Sequence, residues 1–113
     1  MKTDKKRFDE LVIECQKCKR MVQYAQETLK NGRKKGFEKK DYWCKPVASF
    51  GNLNSEILIV GLAPGKHGAG RTGRPFTGDY AGEILYKALY QSKLASSANA
   101  VSLDDGLKLK NVR

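Results

Sequence analysis

The sequence predicts an α/β fold, and three observations carry that prediction. Residues 57–60 form a continuous apolar segment, Ile-Leu-Ile-Val, typical of a strand covered on both faces by helices. Apolar residues at spacings of three and four before and after it predict amphipathic helices over residues 4–30 and 80–91. A length of 113 residues leaves room for one small domain or part of a larger one.

The first expected element is one long amphipathic helix over residues 4–30, ended by Asn31-Gly32. It contains a C-x-x-C pair, Cys15 and Cys18, whose two thiolates suit a metal ion or a cluster. Neighbouring lysine and arginine side chains favour the thiolate form. One pair is half of a zinc site, and the third cysteine, Cys44, stands at no standard spacing, so incidental spacing is the alternative interpretation.

A basic segment with interleaved aromatic residues follows, over residues 33–45, and we expect an extended loop there. With 22 Lys and Arg against 12 Asp and Glu, the net charge is +10, which favours a polyanionic partner, most often nucleic acid. Lys39 and Lys40 are candidate DNA-binding residues within this loop. The alternatives are a solvated loop and a basic surface that serves solubility alone.

Membrane insertion and secretion are not expected. The longest apolar run, Ile57–Leu62, is far shorter than a membrane span. Basic residues after Met1 are followed by Asp9, Glu10 and Glu14 rather than by an apolar segment, so no signal peptide is predicted. The sequence therefore predicts a soluble, cytoplasmic protein.

The segment from Gly61 to Gly82 carries seven of the eleven glycines and joins the strand to the last helix. A strand, a glycine-rich loop and a helix N-terminus together form ligand sites at the carboxyl end of sheets. The string Gly68–Gly73 reads G-x-G-x-x-G, but it begins well after the strand and Arg74-Pro75 follows where a helix should open. The Walker spacing is also absent, so nucleotide binding through either motif is disfavoured.

The last expected elements are the helix over residues 80–91, a turn at Asp104-Asp105-Gly106 and the start of a strand over residues 107–113. Asp79 or Thr77 is the expected cap of that helix.

The glycine-rich loop also resembles a known signature. Gly61-Leu62-Ala63-Pro64-Gly65, His67-Gly68, the run from Arg71 to Asp79 (Arg-Thr-Gly-Arg-Pro-Phe-Thr-Gly-Asp) and Ala81-Gly82 resemble the first motif of the uracil-DNA glycosylase superfamily. The closest resemblance is to the fifth family, the type-B iron–sulfur enzymes of thermophilic archaea and some bacteria. Leu62 stands where the fourth family has an acidic residue. One departure is Gly70, where the family usually has Asn.

The resemblance implies a three-layer αβα sandwich, of which residues 1–113 are the N-terminal part of a single domain. It implies DNA repair by hydrolysis of the N-glycosidic bond of uracil, or another deaminated base, flipped out of DNA. It also implies a [4Fe–4S] cluster. Cys15 and Cys18 match the first two ligands, the other two would lie beyond Arg113, and Cys44 matches none.

The resemblance also implies roles for individual residues. Asp79 is the candidate carboxylate near the sugar and His67 a candidate catalytic donor or water-holding group, whereas a helix cap and a loop brace are the structural alternatives. Phe76 is expected to stack on the base, with core packing as the alternative, and Arg71 and Arg74 either contact phosphate or brace the loop. Backbone groups are expected to contact the base at Gly61, Leu62, Ala63, Pro64 and Gly65.

Two other functions remain open at this point. One is a basic DNA-binding module without catalysis, because a fragment can lack half of the site. The other is a small phosphate- or nucleotide-binding α/β protein.

Overall fold

A computed structural model of the chain describes residues 2–113, with side chains from Asp4 onward. Four helices form: α1 (Lys2–Ile13), α2 (Lys19–Asn31), α3 (Ala69–Thr72) and α4 (Tyr80–Gln91). Within this range no helix combines the length and apolar character needed to cross a membrane.

The helix predicted over residues 4–30 is interrupted at the C-x-x-C pair, so the prediction of one continuous helix is wrong. The last turn of α1 tightens, with the Cys15 N–H donating to the Val12 carbonyl, and α2 begins anew at the Cys18 carbonyl. Cys18 is the N-cap of α2 and has a non-helical φ of −91° and ψ of 89°. Cysteine is compatible with either arrangement, which is why the apolar spacing did not reveal the break.

The apolar segment 57–60 pairs in parallel with residues 111–113 without forming a regular strand. Ile57 bridges Val112, and Ile59 donates its N–H to the Arg113 carbonyl over 2.7 Å. The prediction that both faces of this segment are covered is wrong for the described residues, since Leu58 is 68% exposed and Val60 80% exposed. The expected strand at 107–113 likewise appears only as two isolated bridges, one of them between Leu109 and Ala95.

The core lies between α4 and the C-terminal segment. Tyr86 and Leu89 of α4 pack with Leu107 and Val112, and all four side chains are buried. Partly buried side chains from the middle of the chain complete it, among them Phe50, Ile59 and Phe76. This packing fixes the C-terminal end of the glycine-rich loop against the buried apolar cluster.

The prediction of the last helix is confirmed. Helix α4 spans Tyr80–Gln91, the predicted range, and Asp79 is its N-cap in extended conformation, as one of the two expected caps. The side chain of Asp79 accepts a hydrogen bond from the Gly82 N–H. The position of this carboxylate is therefore set by the start of α4.

Candidate active site in the glycine-rich loop

The loop between residues 61 and 79 folds around a single turn of helix. The Gly65 carbonyl accepts hydrogen bonds from the N–H groups of Gly68 (3.2 Å) and Gly70 (2.8 Å), which closes the loop just before α3. Gly73 ends α3 in the left-handed conformation with φ of 85°. The G-x-G-x-x-G string is thus a one-turn helix with its cap, which is not the phosphate-binding arrangement that follows a strand.

The carboxylate of Asp79 lies against the backbone of this loop. Its Oδ1 accepts from the Gly82 N–H at 3.3 Å. Its Oδ2 faces Gly65 and Gly68, where an ideal Cβ on Gly65 would stand only 2.8 Å from Oδ2 and one on Gly68 would overlap it. The absence of side chains at these two glycines is what allows the loop to pack on the carboxylate.

His67 is held by a tyrosine from the basic loop. Its Nδ1 is 2.8 Å from the Tyr42 hydroxyl, and the two rings meet edge to face with centroids 5.8 Å apart. Burial, followed by the positive charges of Lys66, Lys34 and Arg71, lowers the pKa of His67 below its usual value. The imidazole is therefore neutral at neutral pH.

Phe76 occupies the left-handed region, with φ of 53°. Its half-buried ring packs toward the core and against Gly61, where an ideal Cβ would come within 2.9 Å of the ring. The run Gly61–Gly65 beside it is exposed along its whole length. A base that approached this run would meet backbone groups and the edge of the Phe76 ring.

The two arginines of the loop make bracing contacts. Arg71 donates to the carbonyls of His67 (2.6 Å) and Gly78 (3.2 Å). Arg74 is 2% exposed, and its guanidinium binds both carboxylate oxygens of Asp105 at 2.8 Å. A guanidinium buried in this way has no face to offer a phosphate, so the contacts of Arg74 are those of the loop-bracing alternative.

The basic loop is irregular, but turns at residues 35–36 and 38–39 replace the extended conformation that was expected. It joins the glycine-rich loop through its backbone. The N–H of Trp43 donates to the Arg71 carbonyl at 2.8 Å, and that of Cys44 to the Gly70 carbonyl at 2.9 Å. Lys39 and Lys40 are exposed. The cations of Lys34, Lys40 and Arg71 surround the Phe37 ring within 6 Å of its centroid, at 5.3, 5.7 and 4.8 Å.

The C-x-x-C pair lies between the first two helices. Cys15 is half-buried and Cys18 exposed, both in the connection between α1 and α2. In residues 2–113 no group of three or more potential metal-ligating side chains comes together. Cys44 is half-buried, and burial raises the pKa of its thiol, so its side chain acts here as a small apolar group. These residues alone do not fit a complete [4Fe–4S] centre, because such a centre needs four thiolates.

Two important side chains were missed by sequence reasoning. Tyr42 reaches His67 across 25 residues and Asp105 reaches Arg74 across 31 residues. The interleaving of aromatic and basic residues at 37–43 was a signal for Tyr42, although it suggested base stacking rather than contact with His67. Asp105 carried no signal beyond its place in a turn.

Comparison with known proteins gives the same family that the residues of the glycine-rich loop resemble. The model of the uracil DNA glycosylase superfamily matches residues 48–111. The chain is 42% identical over 102 residues to a type-5 uracil-DNA glycosylase of Thermus thermophilus, covering 90% of this chain and 46% of that protein. It is 41% identical over 105 residues to that of Pyrobaculum aerophilum, covering 93% of this chain and 45% of that protein.

A third relative, the type-5 uracil-DNA glycosylase of Mycobacterium tuberculosis, is 41% identical over 103 residues, covering 91% of this chain and 38% of that protein. The chain thus spans less than half the length of these relatives. The family match supports the predicted α/β class and confirms the predicted resemblance. The 113-residue chain belongs to the uracil DNA glycosylase superfamily.

Proposed function

We propose that this chain is part of a DNA repair enzyme that hydrolyses the N-glycosidic bond of uracil, or of another deaminated base, flipped out of DNA. One observation carries the proposal: the Asp79 carboxylate is fixed by the N-terminus of α4 and packed against Gly65 and Gly68. The type-5 uracil-DNA glycosylases to which the chain is similar give the proposal its reaction and its substrate.

In this reaction water adds to C1′ of the deoxyribose while the bond from C1′ to the base breaks, and the base departs with the bonding electrons. Positive charge builds on the sugar and negative charge on the base. Asp79 would stabilise the sugar cation or orient the attacking water. The loop has already positioned this carboxylate, so little reorganisation is needed during the reaction.

The negative charge on the departing base needs hydrogen-bond donors. The exposed backbone of residues 61–65 offers N–H groups at Gly61, Leu62, Ala63 and Gly65, and we assign base contact to this run. Pro64 has no N–H and contributes shape only. Phe76 would contact the face of the base with the exposed part of its ring, and His67 follows two residues after the end of this run.

Contact with the DNA backbone is assigned to the basic loop. Lys39 and Lys40 are exposed there, and Arg71 joins this loop to the glycine-rich loop. Phosphate contacts of this kind give affinity without sequence preference. Arg74 is assigned to bracing through Asp105 rather than to phosphate.

For the whole protein we propose the three-layer αβα sandwich, with this chain as the N-terminal part of the domain, in the cytoplasm. We also propose a [4Fe–4S] cluster with Cys15 and Cys18 as two of its ligands and the other two from outside this chain. The cluster would tie the start of α2 to the rest of the domain and takes no part in bond cleavage. In a chimera that joins this chain to the remaining part of the Thermus thermophilus relative, iron content and the visible absorbance of the cluster should both be lost in Cys15→Ala.

The glycosylase proposal is tested with a chimera that joins this chain to the part of the Thermus thermophilus relative outside the match. The chimera should release uracil from a uracil-containing oligonucleotide. Asp79→Ala should lower the rate about 100-fold or more, the size of effect seen when one charge-stabilising group is removed from an active site. Asp104→Ala, a matched loss of an exposed carboxylate, should leave the rate unchanged. Full activity of Asp79→Ala would exclude the role of that residue.

A DNA-binding module without catalysis is the second candidate, favoured by the cations gathered around Phe37. It predicts duplex binding that weakens with salt and no uracil release by the chimera. Release of uracil therefore separates the two functions.

A further inference from the structure

We propose that Tyr42 is a positioning residue that fixes His67 as the tautomer with its proton on Nε2. The imidazole then presents a hydrogen-bond donor, rather than an acceptor, to whatever binds in the glycine-rich loop. This inference rests on the proposed function, because it defines what His67 contributes to that site.

We assign the tautomer from the hydrogen bonds of the Tyr42 hydroxyl. The hydroxyl oxygen accepts a hydrogen bond from the backbone N–H of Lys34 at 3.0 Å. Among the described residues, His67 Nδ1 at 2.8 Å is the one acceptor within reach of the hydroxyl proton, so we assign the proton to this contact. A neutral imidazole that accepts at Nδ1 carries its proton on Nε2.

The geometry makes this arrangement rigid. The Tyr42 side chain is buried, the Arg33 guanidinium lies 5.4 Å from its ring centroid, and its ring meets the His67 ring at 84°. The hydroxyl oxygen therefore cannot move away from Nδ1 without displacing a packed ring. In residues 2–113 the structure gives Nε2 of His67 no hydrogen-bond partner, so its proton is available to a ligand.

The surrounding positive charges also favour the neutral form of the His67 ring. Lys34, Lys66 and Arg71 face His67, and each of these cations opposes a second proton on the ring. The resulting neutral N–H donor suits a group that gains negative charge, such as the oxygen of a departing pyrimidine. It does not suit general-base activation of water, which would need a free ring nitrogen.

Nitrogen-15 NMR tests the tautomer without DNA, because this chain contains a single histidine. We expect His67 Nδ1 to show the chemical shift of an unprotonated nitrogen and Nε2 that of an N–H. In Tyr42→Phe, a population with the proton on Nδ1 should appear. The titration midpoint of the ring should rise by roughly half to one pH unit, the equivalent of one hydrogen bond to the neutral form.

Tyr90→Phe is the matched control, since it removes a hydroxyl from a half-exposed ring of α4 and should change neither quantity. The single tryptophan, Trp43, adjoins Tyr42, and its fluorescence reports whether the basic loop keeps its packing. The inference would be overturned if Tyr42→Phe left the Trp43 emission, the His67 tautomer and the His67 titration midpoint all unchanged.

If Trp43 emission does change in Tyr42→Phe, the position of the proton on His67 is determined from the NMR spectrum of the wild-type chain instead. A coupling between the Tyr42 hydroxyl proton and Nδ1 supports the inference, and a proton bonded to Nδ1 overturns it. Turnover is not involved in this measurement. A chain with the expected tautomer whose chimera releases no uracil would therefore contradict the proposed function and leave the Tyr42 contact intact.

Discussion

Arg74 is the most completely engaged side chain of the glycine-rich loop. Its Nε donates to the Thr77 hydroxyl at 3.0 Å and its two terminal nitrogens bind Asp105. Its guanidinium also lies 4.8 Å from the Phe50 ring centroid and 6.0 Å from that of Tyr86. The same few residues hold Pro75, whose carbonyl accepts from the Tyr86 hydroxyl at 2.6 Å. The backbone that precedes Phe76 and Asp79 is thus anchored to the core.

Replacement of Asp105 by Ala should destabilise the fold by about 3 kcal/mol, because it leaves a buried guanidinium without its counter-charge. Urea unfolding followed by far-UV circular dichroism measures this loss. Asp104→Ala removes the adjacent exposed carboxylate and should change the free energy of unfolding by less than about 0.5 kcal/mol. Equal effects of the two substitutions would contradict this account of Arg74.

The same pair predicts how stability depends on acid. The Arg74 guanidinium, helped by the N–H groups of Val101, Leu107 and Ser102, holds the pKa of Asp105 well below its usual range. The unfolded chain therefore binds a proton at Asp105 before the folded chain does. The stabilisation is complete above the unfolded pKa of about 4 and is lost as the pH falls through the lower folded value.

Between about pH 5 and pH 2, the free energy of unfolding should accordingly fall more steeply in the wild type than in Asp105→Asn. Denaturant unfolding at a series of pH values gives both slopes. Parallel curves for the two proteins would show that Asp105 is not coupled to Arg74 in solution.

Residue-scale contacts were predictable where they are local. Asp79 was expected as the cap of α4 because capping depends on residues within one turn, and the structure confirms it. Arg74 with Asp105 and Tyr42 with His67 join segments far apart in the sequence. Such pairs depend on how the loops pack, and neither periodicity nor composition contains that information.

At the scale of elements, α4 packs closely against the loop before it because residue 82 is a glycine. This residue lies in the first turn of α4, where an ideal Cβ would overlap the Phe76 carbonyl oxygen. Glycine normally weakens a helix, by roughly 0.5–1 kcal/mol relative to alanine. Its presence here is explained by the close approach of the Phe76 backbone.

Gly82→Ala should therefore destabilise the chain by about 1–3 kcal/mol, the opposite sign to an ordinary Gly-to-Ala change in a helix. Ala81→Gly, at the exposed neighbouring position, should show only the ordinary helix cost of about 1 kcal/mol. Thermal unfolding of the two variants compares them directly. A more stable Gly82→Ala would mean that α4 and Phe76 are further apart than the structure places them.

Elements whose limits depend on their own residues were predicted better than elements that need neighbouring strands. The limits of α4 followed from its pattern of apolar residues and its cap. The segment 57–60 is apolar throughout, yet its only backbone pairing in the described part of the chain is with residues 111–113. A strand requires neighbours, which its own composition does not supply, and the break between α1 and α2 was invisible because both cysteines suit the apolar pattern.

At the scale of the whole molecule, the excess of positive charge is the dominant property. The net charge is +10, and the basic loop places exposed lysines beside the candidate active site. A surface of this kind attracts a polyanion over distances of several ångströms and releases counterions when the polyanion binds.

Binding of the chain to duplex DNA should therefore weaken as salt rises, with a linear plot of log affinity against log salt concentration. Combined Lys39→Ala and Lys40→Ala substitution should make this slope shallower by roughly 1 to 2, since each phosphate contact contributes about 0.9. Lys108→Ala with Lys110→Ala removes the same charge from the C-terminal segment and should leave the slope nearly unchanged. Fluorescence anisotropy with a labelled duplex measures all three proteins.

The hydrogen bonds from Trp43 and Cys44 to α3 hold the basic loop and the glycine-rich loop in one arrangement. Binding at one loop can therefore be thermodynamically linked to binding at the other. If a polyanion and a base both bind better in this arrangement, binding of the polyanion must raise the affinity of the glycine-rich loop for a base by some factor. A base seated in the glycine-rich loop must then raise the affinity for the polyanion by the same factor.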